Sequence, residues 1–147
     1  MNKQQIGKAG ELLVQYKLLR SGIESSPLTT DSGIDIVAFS KRQQKPFTIQ
    51  AKTNEKPKPS GGKGSLALDW WLREDSPADL VALVDLSEDR AWLFTHGHFT
   101  EVAQQHSKGK YHFYIYLDED VRTKKVAKLS DFNEFVLEKQ LSRIFGI

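Results

Sequence analysis

The sequence predicts an α/β protein, with a central mixed β-sheet flanked by helices. Three observations predict it. The N-terminal segment carries apolar residues at helical spacing and stops at a glycine. The middle is a series of short apolar runs separated by turn residues, and the C-terminal segment is again amphipathic with a helical period.

Ile6 to Ser21 reads as the first helix. Ile6, Ala9, Leu13 and Tyr16 form an apolar stripe that Leu12 and Leu19 widen, and Gly22 stands where a left-handed cap belongs. Glu11 lies off that stripe, near Lys8 and Gln15. A short strand follows over Glu24 to Thr30, then a turn at "TDSG". "IDIVAFS" is nearly all apolar, which predicts a central strand covered on both sides. The polar "KRQQKP" reads as a hairpin-type connection into the strand "FTIQAKT". "NEKPKPSGGKGS" is a surface loop by composition, and "LALDWWLRED" is ambiguous between a short helix and a strand. "ADLVALVDL" and "RAWLFT" predict two strands joined at "SEDR", followed by a short helix in "HFTEVAQQHS" and a strand in "YHFYIYLD". "SDFNEFVLEKQLSRIF" closes the chain as one helix capped by Ser130 or Asp131.

Composition narrows the chemistry. The 147 residues suit a single domain over 1–147, and no internal repeat or linker interrupts them. There is no cysteine, which excludes disulfides, thiolate metal sites and cysteine nucleophiles. The net charge of +2 permits a polyanionic partner without requiring one. No apolar stretch has the length of a signal peptide core or a membrane span, so the expectation is a cytoplasmic location and no membrane partner.

Polar residues inside apolar strands are the functional signal. Asp35 interrupts "GIDIVAF", and Gln50 and Lys52 share one face of "FTIQAKT" because side chains alternate along a strand. Burying such groups is costly unless they are paired or bind an ion. Adjacent strands would bring Asp35 towards Gln50 and Lys52, and Glu11 could approach from the helix packed on them. Each residue alone has a plainer role: Asp35 as a turn cap, Lys52 as a strand end reaching solvent, Glu11 as an exposed partner of Lys8. Their joint occurrence favours a shared site.

"GKAGE" on the first helix, "SGID" opening a strand and "IQAK" on the next resemble the PD-(D/E)xK nuclease superfamily, with arrangements similar to archaeal Holliday-junction resolvases and Mrr-type restriction endonucleases. The later "ADLVALVD" strand fits the same order. The resemblance implies a restriction-endonuclease-like three-layer sandwich and metal-dependent hydrolysis of DNA. It implies magnesium or manganese held by Glu11, Asp35 and Gln50, and Lys52 as the catalytic lysine. It also implies a homodimer, and no organic cofactor is called for. Gln50 departs from the commonest pattern, which has a carboxylate there, although a glutamine variant recurs among Mrr-like members. The set then carries one net negative charge in place of two, so weaker metal affinity is expected. The alternative is a catalytically inactive DNA-binding module of the same fold, or an interaction subunit of a repair or defence system.

Other features are weighed against this site. Lys8, Lys56, Lys58 and Lys63 could contact phosphates beside it. His96 and His98 stand two apart but lack a carboxylate partner, and His106 and His112 show no pattern, so no metal is assigned to them. Trp70 and Trp71 could stack on bases, but core or interface packing accounts for a tandem pair better, and the C-terminal helix is a second candidate interface. Asp79 is expected to cap a strand.

Overall fold

The computed structural model describes residues 1–30, 32–42, 45–62, 64–119 and 127–147. Helix α1 (Lys3–Arg20) starts at a capping box in which Asn2 and Gln5 each bond the other's backbone N–H, at 2.9 Å in both directions. It ends in a Schellman motif. Ser21 is the cap, Gly22 is left-handed at φ 81°, and the N–H groups of Gly22 and Ile23 return to Leu19 and Leu18.

Five strands form the first sheet in the order β1 (Glu24–Pro27), β2 (Ile36–Phe39), β3 (Phe47–Asn54), β6 (Leu80–Asp85) and β7 (Arg90–Thr95). The β3/β6 pair is parallel and the others are antiparallel, so the sheet is mixed as expected. A second sheet is built from β4 (Lys58–Pro59) and β5 (Leu66–Arg73), which come between β3 and β6 in the chain, and from β8 (Gln105–Ser107) and β9 (Lys110–Tyr116), which follow β7, in the order β4-β5-β9-β8. Helix α2 (His96–Val102) and a 3-10 segment over Leu129–Phe135 pack beside it, against β7.

Two cores result. One lies between the first sheet and helices α1 and α3 (Leu137–Phe145), and joins Val14, Leu18, Ile36, Ile49, Leu80 and Leu141. The other lies between the two sheets and is largely aromatic, with Trp70, Trp92, Phe94, Phe99 and Phe113 in edge-to-face and stacked contacts. Fully burying a side chain such as Leu18 or Phe94 stabilises by about 1.5–3 kcal/mol. All six residues of β6 are buried because both cores touch it.

Several expectations are corrected. The central strand covered on both faces is β6, whereas β2 is second from the edge and its Phe39 is 46% exposed. Ile36 and Ala38 turn into the helix-side core, and the opposite face of β2 lies outside the inter-sheet core. On α1 the buried line is Gly10, Val14 and Leu18, while Leu12, Tyr16 and Leu19 are exposed. Apolar residues occur on two sides of this helix, and the sheet takes the side that a glycine lets it approach. "LALDWWLR" is a strand, and strand alternation buries Trp70 while leaving Trp71 45% exposed. The C-terminal segment is not one helix. It breaks at Phe132 and again at Val136, and its α-helical part buries Leu137, Leu141 and Phe145 against the protein's own core. Asp131 accepts from the Lys128 N–H, and Ser130 bonds Glu119 instead of capping α3. No helix among the described residues is long and apolar enough to cross a membrane.

Candidate active site

The site is built where β2 leaves β3. The two strands pair only over Ile36–Ala38 and Phe47–Ile49, so the β2-side edge of β3 from Gln50 onward lacks a strand partner. The Asp35 side chain takes over there. Its Oδ2 accepts from the Ala51 N–H at 2.8 Å, while its own N–H donates to the Ile49 carbonyl at 2.9 Å. Two bonds to β3 thus hold this carboxylate beside the backbone between Gln50 and Lys52. Asp35 is a cap after all, of a strand edge and not of the preceding turn.

Glu11 reaches Asp35 because α1 lies unusually close to β3. A Cβ at Gly10 would stand 1.8 Å from Thr53 Oγ1, so only glycine permits this approach. The next residue, Glu11, then presents its carboxyl to Asp35 from a part-buried position, with Lys8 at 3.6 Å on its other side. Its pKa is raised above the ordinary 4.5, first by burial and then by the negative charge and hydrogen bonding of Asp35, against an opposing pull from Lys8. Two carboxyl groups set this close to one another are suited to a shared cation.

Gln50 and Lys52 lie on the β3 face turned towards the second sheet, alongside Val81 and Leu83 of β6 in parallel register. The Gln50 Oε1 accepts from Ser76 Oγ at 2.6 Å. An amide oxygen has a second lone pair, so this bond leaves it able to meet a cation. Lys52 is half-buried, and its ammonium group makes no hydrogen bond or ion pair to a described residue. Asp79, expected as a cap at the start of "DLVALVD", bonds the neighbouring strand β3 instead, accepting from the N–H and hydroxyl of Thr48 at 2.9 and 3.0 Å.

The donor set fits a hard divalent ion in kind: two neighbouring carboxylates and an amide oxygen. It is a lean set, because among the described residues no three Asp, Glu, His or Cys side chains converge. His96 and His98 open α2, with His98 against Phe94 and Phe135, and His106 and His112 bond Glu74 and Asp69 singly. Of the lysines, Lys8 faces Glu11, Lys56 follows β3 at the surface, Lys58 is on β4, and Lys63 lies outside the described residues. Two site residues were not anticipated. Ser76 is 26 positions from Gln50 and carries no local signal. Gly10 did carry one, since an interior glycine costs a helix about 1 kcal/mol relative to alanine and so calls for a reason.

No protein-family model and no curated protein matches the chain. Among solved structures, the bacterial homing endonuclease I-Ssp6803I matches with a TM-score of 0.64 at 12% identity, over 99% of this chain and 92% of that one. The Holliday junction resolvase Hjc of the archaeon Archaeoglobus fulgidus matches with a TM-score of 0.49 at 17% identity, over 77% of this chain and 84% of that one. The first likeness shows the fold, and it is the restriction-endonuclease-like fold that the sequence implied.

Proposed function

We propose that this chain hydrolyses phosphodiester bonds in DNA, as an endonuclease dependent on magnesium or manganese. One observation carries the reading: Glu11, delivered by a glycine contact, meets Asp35, which is clamped onto β3 between Gln50 and Lys52. The shared fold with a homing endonuclease supports it. Glu11, Asp35 and the Gln50 amide oxygen would hold the cation. A divalent ion in such a place supplies Lewis acidity towards phosphate and eases deprotonation of water. Lys52, without a described partner, can donate to the attacking water or to an oxygen on which charge develops. Asp35 also keeps the end of β3 in register, so it holds the very strand that presents Gln50 and Lys52. Substrate recognition through DNA shape, by a homodimer, belongs to the same proposal.

The test is to incubate the protein with supercoiled, linear and branched DNA, with manganese and without. Metal-dependent cleavage that disappears in both Asp35→Ala and Lys52→Ala is the expected result. Variants that cut as well as the wild type would show that the assignment is wrong. A second reading, a DNA-binding module without cleavage, has one observation in its favour. Gln50 is neutral, and its oxygen already accepts from Ser76. DNA retained with a steep salt dependence but never cut is the outcome that favours it.

A further inference from the structure

The proposed site leaves the outer face of the second sheet without a task, although that face carries the protein's most exposed tryptophan. Trp71 lies flat on His112, its cross-strand partner, with ring centres 3.8 Å apart and planes within 4°. Along β9 the same face continues through Tyr114 and Tyr116, at ring spacings of 5.2 and 5.9 Å. The Trp71–His112 stack separates two cavities. One, of about 330 Å³, is lined by His112, Tyr114, Tyr116 and Lys58; the other, of about 540 Å³, by Trp71, Lys108 and Lys110. The ammonium groups of these three lysines make no hydrogen bond or ion pair to a described residue.

We propose that this face binds a single-stranded or unpaired segment of DNA, with bases stacked on Trp71 and Tyr114 and phosphates on Lys58, Lys108 and Lys110. Cross-strand packing accounts for the Trp71–His112 contact. It does not account for ammonium groups without a described partner at both ends of an aromatic row. That pairing of rings and cations matches alternating bases and phosphates. A base inside a duplex already has both faces covered and offers only its edges, so open rings favour an unpaired strand. The inference rests on the reading that the chain acts on DNA. It also gives that reading a geometry, since Lys58 follows Lys52 by only six positions. Asn54, at the end of β3, donates to the Asp69 carbonyl of β5 at 2.6 Å, which ties the two regions together.

Fluorescence provides the test, because Trp70 and Trp92 are 2% and 1% exposed and only Trp71 can meet a ligand directly. A single strand of roughly a dozen deoxythymidines should quench Trp71, and a duplex of equal length should not. Trp71→Ala and Tyr114→Ala should each weaken single-strand binding about ten-fold. The double variant Lys58→Ala, Lys110→Ala should flatten the dependence of log affinity on log salt by about 1.4. Binding must survive Asp35→Ala, so loss of cleavage and loss of this surface remain distinguishable. Equal quenching by duplex and single strand, or wild-type affinity in Tyr114→Ala, would overturn the inference; Tyr114→Ala also carries the test should Trp71→Ala fold poorly.

Discussion

The two proposed functional faces are built by opposite means. At the β2–β3 fork the reactive groups are positioned by backbone: a glycine that lets α1 touch β3, and a strand N–H that fixes Asp35. On the outer face of the second sheet, Trp71 stacks on His112 and Tyr114 packs tilted against that ring, all on side chains that point away from the core. The difference is one of tolerance. A site set by backbone contact cannot move without moving the sheet, whereas a surface of stacked rings can change identity and leave the fold in place.

Gly10→Ala should have the largest effect on the backbone-set face. Its new methyl must displace Thr53, so a loss of about 1–3 kcal/mol in denaturant unfolding is expected, despite the better helix propensity of alanine. Adding Thr53→Ala should recover part of that loss. Unchanged stability in Gly10→Ala would mean that α1 does not depend on this contact. Trp71→Ala is the counterpart on the second face, where the loss should be smaller, about 1 kcal/mol, the scale of a cross-strand aromatic pair.

Gln50→Glu sharpens the contrast at intermediate size. It adds a third carboxylate beside two that already oppose one another, so stability without metal should fall while manganese affinity, measured calorimetrically, rises about ten-fold. The Ser76 hydroxyl can donate to the new carboxylate as it does to the amide. Retained cleavage with tighter metal binding identifies Gln50 as a neutral ligand in a working site. A protein inert before and after the change identifies the binding module.

Legibility in the sequence follows the range of the forces involved. The α1 cap at Gly22, the paired strands β6 and β7 and the hairpin into β3 rest on local turn chemistry and apolar runs, and these are read correctly. The apolar face of α1 is not, because Leu12, Tyr16 and Leu19 mimic a core stripe that the Gly10–Thr53 approach overrides. "IDIVAFS" and "LVALVD" look alike as strings, and only the placement of the second sheet decides which is covered on both faces. At the site, Asp35, Gln50 and Lys52 stand out as polar residues against apolar neighbours, and Glu11 enters through the resemblance of "GKAGE" to the nuclease pattern. The Ser76–Gln50 bond and the Ala51 clamp arise from tertiary contact and leave no local trace. Trp71 parts from Trp70 by strand alternation, which becomes readable only once β5 is known to be a strand.

Catalysis at the β2–β3 fork requires that Glu11 and Asp35 form one cation site. Burial and Asp35 hold the Glu11 carboxyl above its ordinary 4.5, so the folded chain keeps that proton more tightly than the unfolded one. Stability from this group is therefore present at acidic pH and declines as pH rises from the unfolded value through the raised one. Glu11→Gln should lessen that decline in the absence of metal. The direct measurement is a side-chain carboxyl NMR titration of Glu11, with and without magnesium. The expected result is a midpoint above the ordinary range that falls in Asp35→Asn and falls again when magnesium is added. An ordinary midpoint, indifferent to both, would contradict the shared site.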